Sequence, residues 1–218
     1  VLRGTLALQW LFGVFIFTQR AVQRYDRVDA GALMLTTVSV RTMLAGTLLA
    51  EFLRALTYIG GPLVLLASAF AYAVGSPLTL PMALVAGGLF LATAMVVGYV
   101  LGLTGALLVA RYRFLARNKT VLGGAFVLGA IGLYTVLQSF AGSAGFAVLG
   151  ILPFAWFLDL GLVAAPVVVS LPKAAAVAAG GTVWVLALGT LATRLAGRVW
   201  LGDSVEHEVA DEQARVDR

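Results

Sequence analysis

Long apolar runs, separated by short polar or glycine- and proline-rich breaks, organise the whole chain. The first, TLALQWLFGVFIFT (Thr5–Thr18), is short for a membrane helix. It reaches spanning length from Val1 if the Arg3 side chain snorkels to the interface. QRAVQRYDRVD follows it in place of a small-residue cleavage site, which favours a true span over a signal sequence. A second run extends from about Ala45 to Val74, where Gly60-Gly61-Pro62 predicts a kink because proline removes a backbone donor and crowds the preceding turn. The uncharged turn GSPLTLP leads into a third run from about Met82 to Ala110. The basic loop RYRFLARNK leads into a fourth, from Thr120 to about Phe140, which AGSAG interrupts. A last run covers about Ala174 to Val199. Blocks of this kind match the roughly 20 residues that carry a helix across a bilayer. The pattern predicts an all-α polytopic membrane protein with about five transmembrane helices.

One apolar segment does not fit a span. FAVLGILPFAWFLDLGLVAAPVVVSLP (Phe146–Pro172) is broken by Pro153, Asp159, Pro166 and Pro172. That punctuation predicts an external re-entrant or interfacial hairpin, with Trp156 and Phe157 at headgroup level. Residues 1–202 then form the transmembrane domain. Residues 203–218 form an acidic tail, disordered or a solvated helix, that holds six of the ten acids.

Basic residues fix the expected sidedness. Arg20, Arg24, Arg27 and Arg41 flank one loop, and Arg111, Arg113, Arg117 and Lys119 occupy another. With five spans, both loops and the C-terminus fall on one face, which the positive-inside rule assigns to the cytoplasm of a multi-pass protein in the cell membrane. Small-residue spacing marks two candidate close helix contacts, Gly98-x-x-x-Gly102 and Thr193-x-x-x-Gly197.

Composition narrows the chemistry. The chain is 61% hydrophobic and 11% charged, with a mean hydropathy of +1.00, well outside the range of soluble domains. With no cysteine and a single histidine, His207, in the tail, a thiolate or multi-histidine metal site is not expected. The net charge of +5 suits loops facing the anionic lipid bilayer. Nucleic acid is not an expected partner, because the basic residues are not interleaved with aromatics.

The stretch DAGALMLTTVSVRTMLAG, between the first two runs, reads as a short amphipathic helix with Asp29 near its N-terminus. TTVS breaks it, and Ser39 can cap a second helix that starts near Val40 and continues into the membrane. This arrangement resembles the permease subunits of ABC transporters of the ABC-2, or type V exporter, kind, on the residues Asp29, Leu33, Leu35, Thr36, Thr37, Val38, Ser39, Arg41, Leu44 and Gly46. The family's proline after Thr-Thr is absent, and Thr47 stands where lysine is frequent. The order of spans, cytoplasmic loop and late external hairpin is similar too, apart from a missing first transmembrane helix.

The resemblance implies a permease subunit of an ATP-driven exporter, not an enzyme in its own right. Asp29, Leu33, Leu35, Thr36, Thr37, Ser39 and Arg41 would belong to a coupling helix and its junction, docked on a separate ABC ATPase subunit. A second permease copy or homologue would complete the transporter. This chain has no G-x-x-x-x-G-K-[ST] phosphate loop, so it is expected to bind no cofactor, with ATP and magnesium held by the partner. The cargo is expected to be hydrophobic or amphiphilic.

Three charges in apolar surroundings are candidates for a pathway or relay. Glu51 and Arg54, spaced i,i+3, form either a translocation entrance or an interfacial ion pair. Asp159 is either a proton or cation site or an anchor for the hairpin. A secondary transporter is the alternative function, although no internal repeat is evident; a non-transporting integral membrane protein is another.

Overall fold

Inside hydrocarbon a backbone must bond its own polar groups, and the apolar runs meet that demand as helices. In the computed structural model, which describes residues 2–25, 39–112, 117–139, 156–163 and 170–216, these are α1 (Leu2–Tyr25), α2 (Val40–Val74), α3 (Thr79–Arg111), α4 (Lys119–Ser139), a short α5 (Phe157–Gly161) and α6 (Leu171–Val216). Four of them, α1, α2, α3 and α6, contain stretches long and apolar enough to cross a membrane. The apolar part of α4 is shorter, Gly123–Val136.

α3 is the hub and packs against α1, α2, α5 and α6. Its contact with α1 is the most extensive between helices among the described residues, and two glycines bring the backbones close. A Cβ on Gly98 would lie 2.8 Å from the Val14 carbonyl oxygen and 2.6 Å from the Phe17 Cβ. One on Gly102 would lie 2.6 Å from the Ala21 Cβ. The spacing Gly98-x-x-x-Gly102 therefore marks a real helix interface, where missing side chains let two backbones touch. Beside it the Trp10 indole N–H donates to Thr93 Oγ1 at 3.0 Å, and the Thr93 hydroxyl donates to the Phe90 carbonyl. This relay leaves no polar end facing hydrocarbon at that point.

The second small-residue pattern is different. A Cβ on Gly197 would meet nothing within 4 Å; Ala192 and Ala196, both fully buried, are the small residues that α6 turns to the core. α2 runs as one helix through Gly60-Gly61-Pro62 to Gly75, whose φ of 70° closes the helix in the left-handed conformation that glycine tolerates. The apolar part of α6 ends at Trp200, next to the Val199 expected from the sequence. The helix itself continues to Val216, through most of the acidic tail.

The hairpin expected over Phe146–Pro172 lies mostly outside the described residues. Within it, Trp156 is exposed as expected at an interface, whereas Phe157 is buried: its ring fills the space over Gly181 and meets Phe90 edge-on.

Helix lengths set the molecule against a bilayer. α2 is about 52 Å long at 1.5 Å per residue, some 20 Å more than the roughly 30 Å hydrocarbon core. Counted back from Gly75, that thickness ends near Arg54, so Val40–Leu53 extends beyond it. The surplus is packed: Leu44 of α2, Leu103 and Ala106 of α3, and Ala196, Val199 and Trp200 of α6 share one core. The outward faces of α2 and α4 are apolar and bare, as at Leu65, Leu66, Val121 and Leu128, which is what lipid-facing helices present.

The α1–α3 contact predicts a specific asymmetry. Gly98→Ala should destabilise the protein by about 1–3 kcal/mol, the usual cost of overpacking. Gly105→Ala, where a Cβ meets nothing, should be neutral or slightly stabilising. Thermal unfolding of both variants in the same detergent checks it.

Candidate functional site

Among the described residues two carboxylates in the apolar body are buried, and each has two described cations beside it. Glu51, on α2, is 1% exposed. Arg20 of α1 donates to its Oε2 at 2.6 Å, and Arg54, one turn along α2, donates to Oε1 at 3.3 Å. The i,i+3 partnership expected from sequence is present, but the shorter bond comes from another helix. Asp159, on α5, has no exposed surface. Arg3 at the start of α1 donates to its Oδ1 at 2.5 Å. The Lys173 ammonium of α6 lies 2.9 Å from Oδ2 as an ion pair, off the hydrogen-bonding direction.

These clusters occupy the two ends of α1. Arg3 and Arg20 are separated by about 25 Å of helix, close to the hydrocarbon thickness. Arg54 to Gly75 on α2, and Lys173 to Arg194 on α6, each span about 31 Å on the same scale. Every one of these helices therefore carries its charge at a border, where a cation reaches water while its carboxylate stays covered. A lone charge at the bilayer centre would cost about 2.5–3.5 kcal/mol even on lenient insertion scales. Border placement with paired cations removes most of that penalty.

The contacts bear on the alternatives that the sequence left for each acid. Asp159 anchors: it ties α5 to α1 and α6, and Gly161 seats the same short helix against Ala83 of α3. Glu51 is an ion-paired group at a border, and its pair joins two helices. Among the described residues no three His, Cys, Asp or Glu side chains come together to hold a metal ion.

Of the coupling residues, Asp29, Leu33, Leu35, Thr36 and Thr37 lie outside the described residues. Ser39 and Arg41 are described. Ser39 is the N-cap of α2, in extended conformation, and its Oγ accepts from the Thr42 amide at 3.2 Å. Arg41 is exposed on the first turn. The cap expected at Ser39 is thus present; the break expected at Thr36–Val38 lies outside the described residues.

Arg3, Arg20 and Lys173 went unassigned as partners in the sequence. The available signal was depth: each acid in an apolar run needs a cation at the same border, and only a few residues sit there. Comparison of the chain with protein-family models, with curated proteins and with solved structures returns no match.

Removing one carboxylate leaves two cations facing each other. Because Arg3 and Lys173 are each about half exposed, Asp159→Asn should cost about 1–3 kcal/mol, between the values for exposed and buried pairs. In a double-mutant cycle with Arg3→Gln, unfolding should show positive coupling between the two sites.

Proposed function

We propose that this chain is the permease subunit of an ATP-driven exporter of the ABC-2 kind, moving a hydrophobic or amphiphilic substrate with energy supplied by a separate ATPase. The observation that carries the reading is the continuity of α2. It begins at the Ser39 cap, directly after the segment that resembles a coupling helix, and runs some 20 Å before reaching the hydrocarbon border. At that border Arg20 ties it to α1 through Glu51. A rigid rod with one end at the docking segment and a cross-tie at the membrane surface transmits displacement to the spans. Loops alone would absorb it.

In this reading α4 is a fifth span, the hairpin around α5 lies outside the cell membrane, and the segment 19–41 and the C-terminus are cytoplasmic. Asp29, Leu33, Leu35, Thr36, Thr37, Ser39 and Arg41 form the junction with the ATPase, which holds ATP and magnesium. A second permease copy or homologue completes the complex. The basic loops then face the anionic inner surface.

Two experiments test it. Leu33→Asp with Leu35→Asp should abolish co-purification of an ATPase while the protein still inserts; failure of the unmodified chain to bring down any ATPase would remove the exporter reading and favour a secondary transporter. For sidedness, cysteines placed singly at Ser39, Ser76, Ser143 and Ser204 report without interference, since the chain has none of its own. An impermeant thiol reagent should label Ser76→Cys and Ser143→Cys from outside and spare the other two.

A further inference from the structure

We infer that the Arg20–Glu51–Arg54 cluster and the face of α2 beside it form a binding site for an anionic phospholipid, its phosphate on Arg54 and its chains along Tyr58, Gly61 and Leu65. The inference rests on the membrane-spanning fold and holds whether or not the protein is a transporter.

Among the described residues the cluster holds one carboxylate and two guanidiniums, which together carry a positive charge. The two cations are not equivalent. Arg20 makes the short bond to Glu51, at 2.6 Å, and is one-third exposed; Arg54 makes the long one, at 3.3 Å, and its side chain is 54% exposed. A guanidinium has five N–H donors, and this single long bond leaves Arg54 well supplied for a planar, doubly accepting group such as a phosphate. Glu51 fixes the position of that spare charge at the hydrocarbon border, which is where a phospholipid carries its phosphate.

The adjoining surface suits the rest of the molecule. Residues 54, 58, 61 and 65 follow the i, i+4, i+7, i+11 spacing of one helix face. Tyr58 and Leu65 are among the most exposed apolar side chains of the protein, and a Cβ on Gly61 would meet nothing, so a shallow notch lies between them. From Arg54 to Leu65 is about 16 Å of helix, close to half the roughly 30 Å hydrocarbon core and thus to one leaflet's acyl chain. Charge complementarity selects the occupant: a neutral lipid would fill the face but leave the extra cation unanswered.

The test uses the full chain, delipidated in a non-ionic detergent and titrated with phosphatidylglycerol or phosphatidylcholine, with bound lipid counted by native mass spectrometry. Phosphatidylglycerol should be retained preferentially. Arg54→Gln should weaken it about fivefold, the worth of one basic residue near an anionic surface, whereas Arg41→Gln, an exposed arginine on the same helix outside the site, should not. Inorganic phosphate should fail to displace the lipid, since it lacks the chains. Should Arg54→Gln not fold, Tyr58→Ala leaves the charge cluster intact and should still loosen phosphatidylglycerol severalfold. Equal retention of both lipids, equal effects of the two arginine variants, displacement by free phosphate, or occlusion of the face by a second copy of the chain would each overturn the proposal.

Discussion

A carboxylate can be buried at the edge of hydrocarbon only if a cation accompanies it, and this fold is built around two such places. Glu51 draws Arg20 and Arg54 together at one border, and Asp159 draws Arg3 and Lys173 together at the other. Because Arg3 and Arg20 lie on one helix, the two clusters fix both the depth and the rotation of α1. That register places Val14, Phe17, Thr18 and Ala21 over Gly98 and Gly102, where α1 and α3 can approach to backbone contact. Within a bilayer, where apolar burial drives little association, such contacts and ion pairs supply the specificity that a hydrophobic core supplies in water.

The helical character and the approximate limits of the spans were legible in the sequence because run length and turn chemistry are local. Ser39 announced itself as a cap, and Gly98 and Gly102 as a contact. What was hidden depends on three-dimensional placement. Nothing in the spacing of Glu51 and Arg54 reveals that Arg20, on another helix, makes the tighter bond. Nor does anything in the sequence around Asp159, beside Trp156 and among prolines, point to Arg3 and Lys173 as its partners. The Thr193–Gly197 spacing looked like a contact because composition alone produces such pairs often; the neighbouring Ala192 and Ala196 carry the packing. For the tail the sequence left disorder and a solvated helix open, since its charges remove the apolar signal that made the other helices visible, and the chain is helical there to Val216.

The extension of α2 beyond the membrane is what gives the permease reading its physical content. Val40–Leu53 is helical and is packed against α3 and α6 around Leu44, Leu103 and Trp200. Force applied near Ser39 therefore reaches a bundle of three helices as well as the Arg20–Glu51 tie. α4, which touches α1 through Phe12 and Tyr134, sits at the periphery of this arrangement.

The most direct test of the tie between α1 and α2 is a charge exchange. Arg20→Glu and Glu51→Arg should each lower the unfolding temperature in detergent, since each leaves like charges facing one another at a border. The double variant retains one acid and two bases in the same place and should recover most of the loss. If the double variant is only as stable as the sum of the single losses predicts, the two residues do not hold the helices together, and the register of α1 must have another cause.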